Sequence, residues 1–225
     1  MTFSILAYDE KTGTLGGAAA TGSLCVGGWV LRGSLDAGLV ASQGTAPSTL
    51  WRDRVLSAMA QGATAKKGVD SVTLPDAGRA HRQIIAVDRH GAAQGFTGAA
   101  SVAWAGHKLT PGVAVAGNMI AGDSVLEALM TAFGASTGDM ADRLLSALKT
   151  AQRAGGDSRG MQSAAMLVLS PNAAPLDLRI DHHGDPLGAL EELLVRTRTR
   201  PYADWLDEVP IINDPTRAPT TLADR

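Results

Sequence analysis

The chain has a single cysteine, few aromatic residues and a formal net charge of only −2. Because Cys25 is the only cysteine, an intrachain disulfide and a cysteine-based zinc site are excluded. The 20 basic and 22 acidic residues are mixed along the sequence, so no basic patch indicates a nucleic-acid partner. No stretch approaches the ~20 apolar residues of a membrane helix, and no signal-peptide pattern occurs. We therefore expect a cytoplasmic protein with neither nucleic acid nor membrane as a partner.

Small apolar residues dominate what is present. Hydrophobic residues make up 45% of the 225 residues but aromatic residues only 4%, so the core must consist mainly of Ala, Val, Leu, Ile and Met. The 26 glycines indicate many tight turns and close backbone contacts. This length supports one large domain, which we assign to residues 1–199. The Pro-rich tail, residues 200–225, is expected to dock on the domain or on a partner subunit of a homodimer or higher homo-oligomer.

Alternation of apolar and polar residues predicts an N-terminal hairpin. Residues 2–7 alternate with period two, residues 9–14 have turn chemistry, and residues 15–21 return as a second strand. Further strands are predicted over residues 26–31, 37–42, 83–88, 92–97, 102–107, 113–118, 163–169 and 176–182.

Helical periodicity predicts four helices between these strands. They begin after Ser48, at Asp123, near Met140 and at Asp185, where Pro186 occupies the first helical position. Residues 61–78 are expected to be irregular. Because strands and helices come in blocks, a βαβ repeat is excluded and antiparallel sheets with helices outside are favoured. Two stacked sheets between helical layers are a natural arrangement for this many strands.

One loop carries unusually many polar groups. Residues 155–163 read Gly-Gly-Asp-Ser-Arg-Gly-Met-Gln-Ser and lead directly into an apolar strand. Polar groups at the mouth of a buried strand are typical of enzyme sites. A glycine C-cap with Asp157 and Arg159 paired in solvent explains the loop equally well.

Five segments in order resemble a known family. They are residues 2–5 (Thr-Phe-Ser-Ile), 80–83 (Ala-His-Arg-Gln), 117–122 (Gly-Asn-Met-Ile-Ala-Gly), 155–163 and 177–186 (Asp-Leu-Arg-Ile-Asp-His-His-Gly-Asp-Pro). Together they resemble the bacterial family DUF1028, from residue 2 to about residue 194. That family is grouped with the N-terminal nucleophile (Ntn) hydrolases. The resemblance therefore implies an α+β fold, a four-layer αββα sandwich with two antiparallel sheets between helical layers.

The resemblance also implies a catalytic role for Thr2. In Ntn hydrolases the first residue of the mature chain attacks an amide carbonyl and its own α-amine, with a pKa of ~7.7–8.0, acts as the base. Methionine before a small residue is normally removed, which would expose Thr2. Ser4 is predicted to lie on the same strand face as Thr2 and to bind the substrate. The alternative is that Thr2 is an ordinary threonine of an edge strand.

Other site roles follow from the same resemblance. Asn118 ends a predicted strand and precedes the helix at Asp123, so Asn118 and the backbone N–H groups there are expected to form an oxyanion hole. A turn that caps the following helix is equally consistent. Asp157 is expected to orient the nucleophile. Proteasome-type members place a lysine near the nucleophile, whereas here no lysine lies between Lys11 and Lys66. The remaining predicted substrate-binding residues are Arg32, His81, Arg82, Arg159, Gln162 and Ser163.

No metal or cofactor is expected. The segment 181–185, Asp-His-His-Gly-Asp, has metal-ligand composition, but Asp185 serves better as a helix N-cap and adjacent strand residues point to opposite faces. The apolar neighbours of Cys25 favour a small core residue over a reactive thiol. The sequence thus predicts an Ntn-type amidohydrolase of a small amide or other C–N bond. The alternative is a non-catalytic protein that binds a small anionic ligand in the same pocket.

Overall fold

The N-terminal hairpin lies at the centre of the fold. In the computed structural model, which describes residues 2–156 and 160–219, β1 (Thr2–Asp9) pairs antiparallel with β2 (Thr14–Thr21). Gly13 in the connecting turn has a φ of 68°, a left-handed conformation that glycine adopts without strain. The turn sets the register that places Thr2 opposite Thr21.

The remaining strands complete two antiparallel sheets. They are β3 (Leu31–Ser34), β4 (Gly38–Gly44), β5 (Arg82–Asp88), β6 (Ala93–Thr97), β7 (Ala105–Thr110), β8 (Val113–Asn118), β9 (Ser163–Ser170) and β10 (Ala173–Ile180). The six-stranded sheet has the order β10-β9-β2-β1-β8-β7, and the four-stranded sheet has the order β3-β4-β5-β6. β1 is therefore an inner strand, and both its edges are paired.

Helices connect and cover the strands. They are α1 (Val26–Trp29), α2 (Thr49–Ala60), α3 (Ala65–Thr73), α4 (Asp123–Ala135), α5 (Met140–Arg153), α6 (Pro186–Thr197) and α7 (Tyr202–Leu206). Side-chain caps begin several of them: Ser48 accepts a hydrogen bond from the Trp51 amide, and Asp185 accepts one from the Gly188 amide. Asp185 thus has the N-cap role predicted for it.

The period-two pattern of β1 divides its side chains between two cores. Phe3 and Ile5 pack with Leu126, Leu144 and other residues of α4 and α5. Leu6 faces the opposite way and belongs to a cluster with residues of the four-stranded sheet, including Leu39 and Ile85. A third cluster joins the outer face of that sheet to α2 and α3; it contains Val40, Ile84, Trp51, Val55 and Val69. The sheets therefore pack on each other, and each carries helices on its other face.

The predicted strand over residues 26–31 is wrong. Residues 26–29 form α1, which begins after Cys25, a residue with a φ of 60°. Gly27 lets this helix approach the six-stranded sheet closely, because a Cβ there would lie 2.8 Å from the Cβ of Ala165. The local pattern of residues 26–31 suggested a strand because it carries no information about the contact between Gly27 and Ala165.

Two other elements differ from the sequence prediction. Residues 61–78 contain α3, whose N-cap Thr64 accepts a hydrogen bond from the Lys67 amide. Gly68 lowers the helix propensity of that segment but packs closely on Val55 of α2. The strand expected over residues 102–107 lies three residues later, as β7.

The described part of the tail contacts the turn between β9 and β10. The Asn213 backbone amide donates to the carbonyl oxygen of Pro171 at 3.2 Å, and its side-chain amide donates to Asn172 at 2.6 Å. In the described portion of the chain, no helix combines the length and apolar character required to cross a membrane.

Candidate active site

Thr2 lies at the end of the inner strand β1, where a cavity opens between the sheets. Its neighbours across the sheet are Thr21 of β2 and Asn118 of β8. The Thr2 Oγ1 atom lies 3.1 Å from the Oγ1 atom of Thr21. Thr21 Oγ1 also accepts a hydrogen bond from the Ser23 amide at 3.3 Å. Thr2 therefore combines a side-chain hydrogen bond to Thr21 with a place on the cavity wall.

The cavity has a volume of about 540 Å³, within the range that proteins use for small molecules. Its polar lining residues are Thr2, Thr21, Ser23, Gln43 and Thr45. Its other lining residues are Leu24, Val26, Trp29, Val30, Gly44, Pro47, Val102 and Met119. The lining is thus largely apolar.

Gln162 and Ser163 hold one wall of the cavity from behind. Ser163 is fully buried; its Oγ atom donates to the Ser23 carbonyl at 2.7 Å and accepts from the Val26 amide at 3.1 Å. The Gln162 side-chain amide donates to the Gly22 carbonyl at 2.9 Å. Neither residue lines the cavity. Both therefore support residues 22–26 of the wall and do not contact a ligand directly.

A buried arginine fixes the end of the same wall. The Nη1 atom of Arg52 donates to the carbonyl oxygens of Gly28 and Trp29, both at 2.8 Å. Its side chain is only 4% exposed and is paired with Asp53. Since carbonyl groups at a helix C-terminus carry partial negative charge, a cation stabilises this end of α1.

The opposite wall is the loop after β4. The Ala46 amide donates to the His81 carbonyl at 3.0 Å, and the Arg82 guanidinium, paired with Asp76, donates to the Ala46 carbonyl at 3.4 Å. Thr45 Oγ1 accepts a hydrogen bond from the Val102 amide at 3.1 Å. His81 and Arg82 therefore lie behind the loop and not in the cavity lining.

Buried amide side chains connect the two sheets beneath Thr2. Gln43 of β4 accepts a hydrogen bond from Ser4 Oγ at 2.7 Å and donates to the Thr2 carbonyl oxygen at 3.3 Å. Its Nε2 atom also donates to Gln83 Oε1 at 2.8 Å. The same Gln83 oxygen accepts from Asn118 Nδ2 at 3.2 Å. Ser4 and Asn118 are therefore engaged inside the protein and do not line the cavity.

The network continues to His107 of β7, in the six-stranded sheet. Gln83 Nε2 lies 2.9 Å from Thr97 Oγ1, and that oxygen lies 2.8 Å from Nδ1 of His107. Burial lowers the pKa of His107 below its ordinary value. The imidazole is thus favoured in its neutral form.

The structure brings some predicted residues together and separates others. Of the predicted site residues within the described ranges, Thr2 alone lines the cavity. Arg32 is exposed in a separate surface depression beside Asp53, with its guanidinium donating to the Leu31 carbonyl. Asp157 and Arg159 lie outside the described residues.

The sequence analysis missed several residues of the site. The Thr21 hydroxyl contacts that of Thr2, and Thr45 lines the cavity. The side chains of Gln43 and Gln83 form the hydrogen-bond network between the sheets. A signal was present for the glutamines, because Gln83 directly precedes the apolar residues 84–87 and Gln43 follows the apolar residues 39–41 with only Ser42 between them. A buried polar side chain in such a strand must find a hydrogen-bond partner.

The family described as "Family of unknown function (DUF1028)" matches residues 2–190. The crystal structure of protein SPO2555 from Silicibacter pomeroyi, whose description also names DUF1028, has 50% sequence identity and a TM-score of 0.92, and the match covers 96% of this chain and 95% of that one. Eukaryotic HslV from Trypanosoma brucei matches at 11% identity with a TM-score of 0.48, over 75% of this chain and 99% of HslV. No curated protein matches the chain.

Proposed function

The chain belongs to the DUF1028 family, and from that premise we propose that it is an N-terminal nucleophile hydrolase of a small amide or another C–N bond. The observation that carries the proposal is the position of Thr2. Its hydroxyl lies at the end of an inner strand and on the wall of a small-molecule-sized cavity, 3.1 Å from Thr21 Oγ1.

The packing of the sheets supports the same proposal. Helices α4 and α5 pack on one sheet, α2 and α3 pack on the other, and the two sheets face each other. We assign this arrangement to the four-layer αββα sandwich of Ntn hydrolases, in which the nucleophile is the first residue of the mature chain.

The chemistry requires that the peptide bond between Met1 and Thr2 be cleaved. The Thr2 α-amine then takes the proton from Oγ1 as this oxygen attacks the substrate carbonyl carbon. The same proton passes to the leaving nitrogen as the C–N bond breaks, and the acyl group remains as an ester on Thr2. Water hydrolyses the ester, releases the carboxylic acid and regenerates the hydroxyl.

The negative charge that develops on the carbonyl oxygen needs hydrogen-bond donors. The side chain of Asn118 is committed to Gln83, so we reassign this role to backbone amides of the cavity wall at Gly44 and Thr45.

The experiment is intact mass spectrometry of the untagged protein, followed by treatment with an alkyl β-lactone. We expect a mass without Met1 and one covalent adduct, which peptide mapping places on Thr2. Thr2→Ala should abolish the adduct with little change in melting temperature, while Thr14→Ala, at the other end of β2, should label normally. Complete retention of Met1, or labelling of Thr2→Ala at the wild-type rate, would refute the nucleophile and favour a binding protein.

A further inference from the structure

The cavity beside Thr2 carries no formal charge on its described lining. None of the lining side chains within residues 2–156 and 160–219 is Lys, Arg, His, Asp or Glu. A charged group that entered this cavity would lose hydration without gaining an ion-pair partner from these side chains, which is unfavourable. The lining therefore favours neutral ligands.

Arg52, the buried cation that holds the end of α1, does not add a charge to this lining. Both donors that Arg52 directs to α1 are used on the carbonyl oxygens of Gly28 and Trp29, and its Nε atom is paired with Asp53. Arg52 is absent from the cavity lining. The Arg52 guanidinium thus stabilises the wall and does not contact the cavity.

Most polar side chains of the lining are already engaged within the protein. Thr45 Oγ1 accepts from the Val102 amide, and Thr21 Oγ1 interacts with Thr2 and the Ser23 amide. The Gln43 amide is shared by Ser4, the Thr2 carbonyl and Gln83. A ligand beside Thr2 consequently meets few side chains that would recognise a polar substituent.

Large apolar side chains are exposed on the same cavity. Leu24 is 54% exposed, Trp29 51% and Val102 45%, and all of them line the cavity. A group of exposed apolar residues around a concave site indicates a surface that a ligand covers. Covering it with an apolar substituent would remove this apolar surface from water, which is favourable.

We propose that the substrate carries an uncharged, apolar substituent next to its scissile C–N bond, and that Trp29 and Val102 are the residues that select it. This inference rests on the proposed function, because it assumes that the scissile bond lies against Thr2. It excludes substrates with a carboxylate or phosphate at that position as the preferred class.

The test compares two β-lactone probes with side chains of equal length, one ending in a methyl group and the other in a carboxylate. Protein without Met1 is treated with each, and the rate of adduct formation on Thr2 is followed by mass spectrometry. We expect the alkyl probe to label at least about 10-fold faster. Equal rates, or faster labelling by the carboxylate probe, would overturn the substrate class while leaving Thr2 as the nucleophile. Labelling by neither probe would overturn the nucleophile itself, and this inference with it.

Matched variants assign the preference to the cavity. Trp29→Ala and Val102→Asp should each reduce the alkyl preference several-fold, since the substitutions remove apolar wall or add charge to it. Trp205→Ala and Val195→Asp change side chains of similar exposure, 46% and 58%, that lie outside the cavity lining. These controls should keep the wild-type preference. An unchanged preference in folded Trp29→Ala and Val102→Asp would refute the assignment to these residues.

Discussion

Gln43 of the four-stranded sheet donates a hydrogen bond to the backbone carbonyl of Thr2 in the six-stranded sheet, at 3.3 Å. The same side chain accepts from Ser4 Oγ and is 1% exposed. A single amide therefore ties the strand that carries the proposed nucleophile to the opposite sheet. Because the bond reaches the carbonyl of Thr2 itself, it restrains the position of the hydroxyl in the cavity.

Replacement of this amide should affect both stability and reactivity. Gln43→Leu removes the acceptor of the buried Ser4 hydroxyl, one donor to the Thr2 carbonyl and one donor to Gln83 Oε1. A buried group left unsatisfied costs about 1–3 kcal/mol. We expect a fall of several kcal/mol in the free energy of unfolding, measured in urea, and slower labelling of Thr2 by an alkyl β-lactone. Gln152→Leu, at an exposed position of α5, should leave both unchanged. A stable Gln43→Leu variant with wild-type labelling would show that this bond does not position Thr2.

The contact between the two threonine hydroxyls can be tested by itself. Thr21→Val keeps the shape of the side chain but removes the oxygen that lies 3.1 Å from Thr2 Oγ1. One hydrogen bond contributes about 0.5–1.5 kcal/mol, so labelling of Thr2 should slow by about 2- to 12-fold. Thr14→Val, on the same strand but remote from Thr2, is the control. Faster labelling of Thr21→Val than of the wild-type protein would contradict an activating role for this hydroxyl.

The sequence predicted the hairpin and most of the strands because their signals are local. Alternation in residues 2–7 and 15–21, with turn chemistry between them, defines both β1 and its pairing with β2. The cap at Asp185 is likewise read from two adjacent residues. Features that depend on residues close together in the sequence could therefore be predicted.

The hydrogen-bond network of Gln43 and Gln83 between the sheets could not be predicted in the same way. Gln43 and Gln83 are 40 residues apart, and only the pairing of β4 with β5 places them opposite each other. α1 was missed for a related reason, since Gly27 is explained by its approach to Ala165 of β9. Such contacts depend on tertiary packing, which overrides short-range patterns.

The buried arginine behind α1 should be required for the cavity wall. Arg52→Met preserves the aliphatic length but leaves the Gly28 and Trp29 carbonyls without their donors. Hydrogen bonds to charged groups contribute about 1.5–3 kcal/mol each, so we expect a loss of a few kcal/mol in the free energy of unfolding. Arg54→Met, exposed on the same helix, should have little effect. Equal stabilities of the two variants would show that Arg52 does not hold this wall.

The neutral His107 predicts a pH dependence of stability with a defined sign. Burial places its folded-state pKa below the unfolded value of about 6.5, so the unfolded chain binds a proton first as the pH falls. The free energy of unfolding should therefore decrease from about pH 6.5 downward until the folded-state pKa is reached, and it should not depend on this group above pH 7.5. Urea titrations at pH 7.5 and 5.5 measure the effect. His107→Gln should reduce the difference between the two pH values relative to the wild-type protein, whereas His182→Gln, at an exposed position, should not. If His107→Gln retained the full wild-type difference, protonation of this imidazole would not be the cause.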